Sequence, residues 1–196
     1  MHPRPVIYVN RITNLSDARY CAGMGVDLLG FVITPAHPDY VSPVQFQEIM
    51  GWVSGPSRVV EIIDGEPFNI EEAITQYAPD LIHLTLTGDS SPPPTSFPMI
   101  LETRFANWAS VQNKIQNNFK RVEYVVLTEI PADTSELNAL GGKYPILLPL
   151  GQNEISIKEV QQQSGVIGFV LQGSPELKPG LKDYDHLSRI LESLDS

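Results

Sequence analysis

Three side chains near the ends of two apolar segments could transfer protons and bind an anion. His83 stands between Ile82 and Leu84 in an apolar run, with the parity of an inward-facing side chain. Glu102 and Arg104 close the next apolar run. An imidazole titrates near neutral pH, a carboxylate accepts protons, and a guanidinium binds carboxylates and phosphates. The set predicts acid–base chemistry on a small anionic molecule, although a lone histidine in an apolar strand is more often a core residue.

The composition excludes several classes of function. The net charge of −10 repels nucleic acid and anionic membranes, so we expect neither as a partner. The four histidines show no metal-ligand spacing, and we expect no metal site. Cys21 is the single cysteine, which rules out an internal disulfide, and its position beside Ala18 and Ala22 predicts a buried packing residue.

The ends of the chain and its apolar segments predict a cytoplasmic protein. No apolar run approaches the roughly 20 residues that span a bilayer. Residues 1–5 lead directly into an apolar strand and lack the features of a signal peptide.

Apolar segments with strand character alternate strictly with segments of helical spacing, which predicts a parallel sheet. The strands are expected at 6–9, 28–33, 58–63, 81–86, 98–102, 122–127, 145–150 and 166–171, and the helices at 14–24, 43–52, 70–77, 109–119, 134–140, 156–163 and 184–194. Eight strands favour a closed α/β barrel, the (β/α)8 or TIM barrel, over an open doubly wound sheet. We expect one domain over 1–196, with helix 4 replaced by the proline-rich loop 87–96 and the flank beside it exposed.

Three segments in order resemble the phosphoribosylanthranilate isomerase family. Residues 12–18 are similar to its I-T-N-x-x-D-A, residues 25–32 and 40–43 to its G-A-D-x-x-G-F-V and Y-V-S-P, and residues 179–185 to its P-G-x-K-D-x-D. The resemblance implies a barrel whose site lies at the carboxyl ends of the strands. It also implies an Amadori-type aldose–ketose isomerisation in tryptophan biosynthesis, without metal or organic cofactor.

The family's catalytic groups are replaced where the motifs align. Its base is the cysteine of K-I-C-G-I-T, and residues 8–13 place Asn10 there. An amide has no accessible protonation change. Its acid is an aspartate closing strand six, and Thr128 stands there. Glu129 and His83 are the candidates to replace these groups, although strand parity points Glu129 away from the mouth.

The binding positions also differ from the family pattern. The family's arginine before Y-V-S-P binds the substrate carboxylate, and Asp39 stands in its place. Two unit charges about 4 Å apart interact by about 4 kcal/mol at an effective dielectric near 20, so attraction becomes repulsion of similar size. The family's phosphate loops are represented here by four residues: Gly151, Gln152, Gly173 and Ser174. Backbone N–H groups there could still bind an anion, or the glycines could simply serve turns.

Three functions remain open from the sequence. The preferred interpretation is a pseudoenzyme that has lost the family reaction and binds at most a small phosphorylated ligand or a protein partner. The second is an active phosphoribosylanthranilate isomerase with relocated acid–base groups. The third is a different phosphosugar isomerase or lyase, using His83, Glu102 and Arg104. The sequence leaves open the ligand, any remaining catalysis, and whether the chain is a monomer or a homodimer.

Overall fold

Eight parallel strands close into a barrel in the order β1 to β8, with β8 paired to β1. The computed structural model describes residues 4–63, 69–87, 89, 92–129, 134–150, 165–173, 176–178, 181–182, 188 and 190–192. The strands are β1 Val6–Asn10, β2 Leu28–Val32, β3 Ser57–Ile62, β4 Leu81–Thr85, β5 Met99–Thr103, β6 Val122–Leu127, β7 Ile146–Pro149 and β8 Val166–Gln172. The predicted (β/α)8 barrel is confirmed.

Helices connect successive strands on the outside of the barrel. They are α1 Leu15–Gly23, α2 Pro43–Met50, α3 Ile70–Tyr77, α4 Trp108–Asn118 and α5 Thr134–Gly141, with a 3₁₀ turn at Phe105–Asn107 before α4. Residues 188 and 190–192 are helical, within the predicted closing helix. The helix predicted at 156–163 lies outside the described residues.

Local signals in the sequence set the first two helix starts. The Asn14 side chain accepts a hydrogen bond from the Asp17 N–H at 3.0 Å and caps α1. Ser42 and Gln45 form a reciprocal capping box at the start of α2, where Pro43 takes the first helical position. The predicted caps of α1 and α2 are both confirmed.

Side chains along the strands alternate between the barrel interior and the layer under the helices. One apolar cluster fills the interior: Tyr8, Leu28, Val59, Leu81, Ile100, Val126, Leu147 and Val170. The alternate strand residues join the larger cluster against the helices, which also contains the fully buried Cys21, as predicted. The two buried clusters explain why the strands read as continuous apolar runs.

The connection between β4 and β5 contains no helix among its described residues, as the proline-rich sequence predicts. The expectation of an exposed flank was wrong. Leu86 and Pro92 are buried, and Phe97 packs against the core. Thr95 holds the loop against the end of α4, because its N–H donates to the Asn118 carbonyl at 2.8 Å and its carbonyl accepts from Lys120. The loop therefore covers the flank that a helix covers elsewhere.

Two further features complete the described chain. A two-stranded antiparallel sheet, β9 Glu176–Lys178 and β10 Leu181–Lys182, follows β8, and the sequence did not predict it. No described helix combines the length and apolar character needed to cross a membrane.

We predict that Gly168→Ala destabilises the barrel where β8 meets β1. A Cβ at this position would lie 2.8 Å from both the carbonyl carbon and the Cβ of Val6, and backbone atoms cannot move aside cheaply. Overpacking of this kind costs about 1–3 kcal/mol of unfolding free energy, which urea denaturation measures. Gly23→Ala in α1 is the matched control, since a Cβ there meets nothing within 4 Å. Equal stability of the two variants would contradict the prediction.

Candidate active site

A cluster of ionisable side chains occupies the inside of the barrel above its apolar layer. Glu61 of β3, His83 of β4 and Glu102 of β5 each stand two residues beyond an interior apolar residue, toward the carboxyl end of the strand. Parallel pairing sets Glu61 beside His83 in register. Because β3, β4 and β5 are neighbours, three separated residues meet at one level of the barrel.

His83 is the centre of the cluster and contacts three side chains. Its Nδ1 lies 2.9 Å from the Tyr8 hydroxyl, a hydrogen bond whose donor depends on the imidazole tautomer. Its Nε2 lies 3.3 Å from Oε2 of Glu102, close enough for an ion pair but off the direction of a well-aligned hydrogen bond. Oε2 of Glu61 lies 3.8 Å from Nδ1. The imidazole therefore bridges one carboxylate on each side.

Exposure decreases from Glu102 inward. The Glu102 side chain is 23% exposed, whereas Glu61 is 2% exposed, His83 is 3% exposed and Tyr8 is fully buried. A small molecule entering from the strand ends therefore meets Glu102 first. Glu61, His83 and Tyr8 lie behind it as a buried set.

Gly30 of β2 provides the volume that the cluster occupies. A Cβ at this position would lie 2.5 Å from the Tyr8 hydroxyl and would also collide with Oε1 of Glu61. Any side chain on this inward-facing position would displace the phenol or the carboxylate. The absence of a side chain on β2 is thus what lets two polar groups enter from β1 and β3.

Glu61 also fixes the chain as it leaves β1. Its Oε1 accepts the backbone N–H of Arg11 at 2.8 Å. Arg11 has φ of 56°, in the left-handed region that non-glycine residues rarely adopt. The next N–H, of Ile12, donates to the Gly30 carbonyl at 2.8 Å. These two bonds hold the turn at the barrel mouth.

The pKa values of the two carboxyl groups in the cluster shift in opposite directions. Burial raises the pKa of Glu61, and this outweighs the nearby His83 and the Arg11 N–H, which lower it. Burial also acts to raise the pKa of Glu102, but the hydrogen-bonding and charge interactions with His83 outweigh it and lower the pKa below its usual value. Carboxyls whose environments separate their pKa values divide into an acid and a base.

His83 gains proton affinity from its neighbours. Burial lowers the pKa of an imidazole, but interaction with Glu102, and then with Glu61, outweighs burial and raises the pKa above its usual value. Burial and the two carboxyls together raise the pKa of Tyr8 well above its usual range, so this phenol stays protonated. The Glu102 carboxylate therefore stabilises the protonated form of the imidazole.

Asn10 and Thr128, which the sequence resemblance aligns with the family's base and acid, carry no ionisable group. Asn10 ends β1, and its buried Oδ1 makes no hydrogen bond with any described residue. Thr128 is exposed just beyond β6, where its N–H donates to the Thr103 carbonyl at 3.2 Å. Asp39 lies in the loop after β2, 3.8 Å from Nδ1 of His37. Of the predicted site residues, the structure brings His83 and Glu102 together.

Arg104 and Glu129 form an ion pair of their own. Oε1 of Glu129 accepts from Nε of Arg104 at 2.8 Å, and both side chains are well exposed. Neither residue contacts His83 or Glu102 among the described contacts. The pair joins the ends of β5 and β6, apart from the buried cluster.

Of the four residues predicted to bind phosphate, Gly173 alone lies among the described residues. The N–H of Gly173 donates to the Asn10 carbonyl at 2.9 Å, so it ties the end of β8 to the end of β1. A Cβ on Gly173 would lie 3.1 Å from the Arg11 carbonyl oxygen. Gly151, Gln152 and Ser174 lie outside the described residues.

The sequence reasoning missed three members of the site: Tyr8, Arg11 and Glu61. A signal existed for Glu61, because it is the one charged residue between Val59 and Ile63 and has the same inward parity as Val59. In the sequence, Tyr8 looks like any strand residue and Arg11 like any loop residue. Within the described part of the chain, no group of three or more histidine, cysteine, aspartate or glutamate side chains is arranged to hold a metal ion.

Comparison with known proteins agrees with this architecture. No family model matches the chain. The N-(5'-phosphoribosyl)anthranilate isomerase of Aquifex aeolicus is 34% identical over 74 residues, a match that covers 37% of this chain and 36% of that protein.

Solved structures match almost the whole chain. A phosphoribosyl anthranilate isomerase in complex with reduced 1-(o-carboxyphenylamino)-1-deoxyribulose 5-phosphate superimposes with a TM-score of 0.73 at 19% identity, covering 97% of this chain and 98% of that one. The isomerase from Thermotoga maritima gives 0.72 at 19% identity, with the same coverage.

The chain is a (β/α)8 barrel with a cluster of ionisable side chains inside the carboxyl ends of its strands. The chain is similar in sequence to a phosphoribosylanthranilate isomerase over 74 residues, and it shares the barrel fold of the solved isomerases over almost its whole length. The ionisable groups of its mouth come from strands β3, β4 and β5.

We predict that His83→Asn changes the pH dependence of stability. The folded-state pKa of His83 is raised, so its stabilising contribution is present below the usual value near 6.5 and is lost as pH rises through the folded-state pKa. The difference in unfolding free energy between wild type and variant should shrink with rising pH, by about 1.4 kcal/mol per unit of pKa difference.

Urea denaturation from pH 5.5 to 9 measures this difference. Glu102→Gln is the informative companion variant, since it removes the carboxylate that raises the pKa most and should shift the transition to lower pH. A difference between wild type and His83→Asn that stays constant or widens with pH would show that the imidazole is not held protonated.

Proposed function

We propose that the barrel mouth binds a small phosphorylated sugar derivative and that Glu102 and His83 transfer a proton on it, in an aldose–ketose type of isomerisation. The supporting observation is the 3.3 Å contact between His83 Nε2 and Glu102 Oε2, with Glu102 the exposed member. An exposed carboxylate backed by a buried imidazolium can accept a proton at one atom and supply one nearby.

The arrangement gives each group a distinct task. Glu102 faces the ligand as a carboxylate and removes a proton from carbon beside a carbonyl. His83 donates a proton to the carbonyl oxygen, which gives an enediol. Glu102 then returns its proton to the neighbouring carbon while His83 takes the proton of the second hydroxyl as the new carbonyl forms, so both groups return to their starting states. Glu61 lies 3.8 Å from Nδ1 on the far side of the imidazole. The Tyr8 hydroxyl at 2.9 Å from Nδ1 holds the ring plane.

We propose that N-phosphoribosyl anthranilate is not the substrate. The positions of the family's base, acid and carboxylate-binding arginine carry Asn10, Thr128 and Asp39. Neither an amide nor a hydroxyl can replace a group that exchanges protons near neutral pH. Asp39 repels the anthranilate carboxylate, so the mouth would favour a substrate without that group.

We infer a phosphorylated ligand from the resemblance to phosphoribosylanthranilate isomerases. A related barrel in a solved structure holds a reduced deoxyribulose 5-phosphate derivative. The chain's net charge of −10 gives no general attraction for such a ligand, so binding depends on local groups at the mouth. We place the reaction in the cytoplasm and expect a monomer or homodimer.

The proposal predicts a carbon–hydrogen exchange reaction that depends on Glu102. The wild-type protein, incubated in D2O with ribose 5-phosphate and a panel of phosphorylated pentoses and hexoses, should exchange the hydrogen at C2 of one of them. Glu102→Gln should slow that exchange by about 10²–10⁴-fold, the usual contribution of a general base. Proton NMR follows the loss of the C2 signal.

Glu123→Gln is the matched control for this experiment. Glu123 lies on β6 and pairs with Arg121 at the opposite end of the barrel, so this variant should exchange at the wild-type rate. Equal rates in Glu102→Gln and wild type, or no exchange with any sugar of the panel, would refute the proposal.

A second measurement separates this function from the family reaction. We expect no conversion of N-phosphoribosyl anthranilate by purified wild-type protein, followed through the loss of anthranilate-linked fluorescence. Rescue of a tryptophan auxotroph that lacks the isomerase should likewise fail when folded protein is present. Turnover that Glu102→Gln or His83→Asn abolishes would instead identify an active phosphoribosylanthranilate isomerase with relocated groups.

A further inference from the structure

Arg11 adopts an unfavourable backbone conformation at the mouth of the barrel. Its φ of 56° costs a non-glycine residue about 1–2 kcal/mol. Two hydrogen bonds maintain it, from the Arg11 N–H to Glu61 and from the Ile12 N–H to Gly30, both 2.8 Å long. Glycine would adopt the same turn without that cost. What arginine adds at this strained position is its side chain.

The Arg11 guanidinium lies among the ionisable groups of the site without pairing with them. Its charge is near enough to act on Glu61, His83 and Glu102, although burial and their mutual contacts affect the pKa values of these groups more strongly. The guanidinium makes no ion pair and no hydrogen bond with a described residue. Arg104, by contrast, forms an ion pair with Glu129. The half-buried Arg11 therefore carries five N–H donors for which the described residues supply no acceptor.

Two more polar atoms of the site make no aligned hydrogen bond with a described residue. Oδ1 of Asn10, the preceding residue, is buried without a hydrogen bond to any described residue. Nε2 of His83, a residue 3% exposed, has its ion-pair contact with Glu102 but no aligned hydrogen bond. A buried polar atom without a partner is costly, and the buried Oδ1 of Asn10 next to the guanidinium of Arg11 indicates a polar ligand at the barrel mouth.

We infer that Arg11 binds an oxyanion of the ligand, a phosphate or a carboxylate, and so supplies the cation that position 39 lacks. The planar guanidinium fits two oxygens of either group at once. Asn10 then accepts a hydrogen bond from a hydroxyl of the same ligand. This inference rests on the proposed function for the identity of the site, and it deepens it by naming the residue that selects an anionic substrate.

The test compares anion binding by wild type and Arg11→Gly. Thermal shift and calorimetry with inorganic phosphate, ribose 5-phosphate and malonate measure binding to the folded chain of 196 residues. Wild type should gain melting temperature with at least one probe, and Arg11→Gly should weaken that binding at least tenfold. Without ligand, Arg11→Gly should melt at or above the wild-type temperature, because glycine relieves the backbone strain.

Three further variants complete the experiment. Arg11→Lys keeps the charge but loses the paired donors, and it should bind with an intermediate affinity. Arg121→Gln, at the opposite end of the barrel, should bind within twofold of wild type. His83→Asn should retain anion binding even though proton exchange is lost.

The outcomes distinguish this inference from the proposed function. Anion binding by Arg11→Gly equal to that of wild type overturns the role of Arg11, even if Glu102 proves essential for exchange. Loss of binding in Arg11→Gly with no exchange in any variant supports the anion site and refutes the proton transfer. Preference among phosphate, sugar phosphate and malonate identifies which oxyanion the site takes. No binding of any probe by wild type overturns the inference.

Discussion

The buried carboxylate of Glu61 is the group on which the mouth of this barrel depends. It accepts the Arg11 N–H at 2.8 Å, stands 3.8 Å from the His83 imidazole, and shares the space above Gly30 with the Tyr8 hydroxyl. A carboxylate buried without such partners would be strongly unfavourable. Its position therefore requires a glycine on β2, an imidazole on β4 and a turn of unusual conformation after β1.

That constraint connects the stability of the barrel with its chemistry. The same carboxylate that holds the β1 turn faces the imidazole that we propose as a proton donor. A substitution of Glu61 would disturb both the backbone conformation of Arg11 and the protonation of His83. Effects of substitutions within this cluster should therefore be non-additive, because its members share hydrogen bonds and charge.

The barrel also shows that very different sequences can form the same fold. The solved isomerases superimpose over 97% of the chain at 19% identity or less. The closed sheet needs apolar residues at alternate positions, and many sequences satisfy that need. The ends of the strands are not bound by that requirement, and in this chain Glu61, His83 and Glu102 form a cluster on three neighbouring strands.

The sequence by itself determined the order of strands and helices, the caps at Asn14 and Ser42, and the inward parity of His83, because these depend on local periodicity and short-range hydrogen bonds. It also identified Glu102 as a strand-end carboxylate. Only the tertiary structure decided that Glu61 meets His83 and that the β4–β5 loop covers the flank. Those contacts join segments more than 20 residues apart, and the register of neighbouring strands sets them.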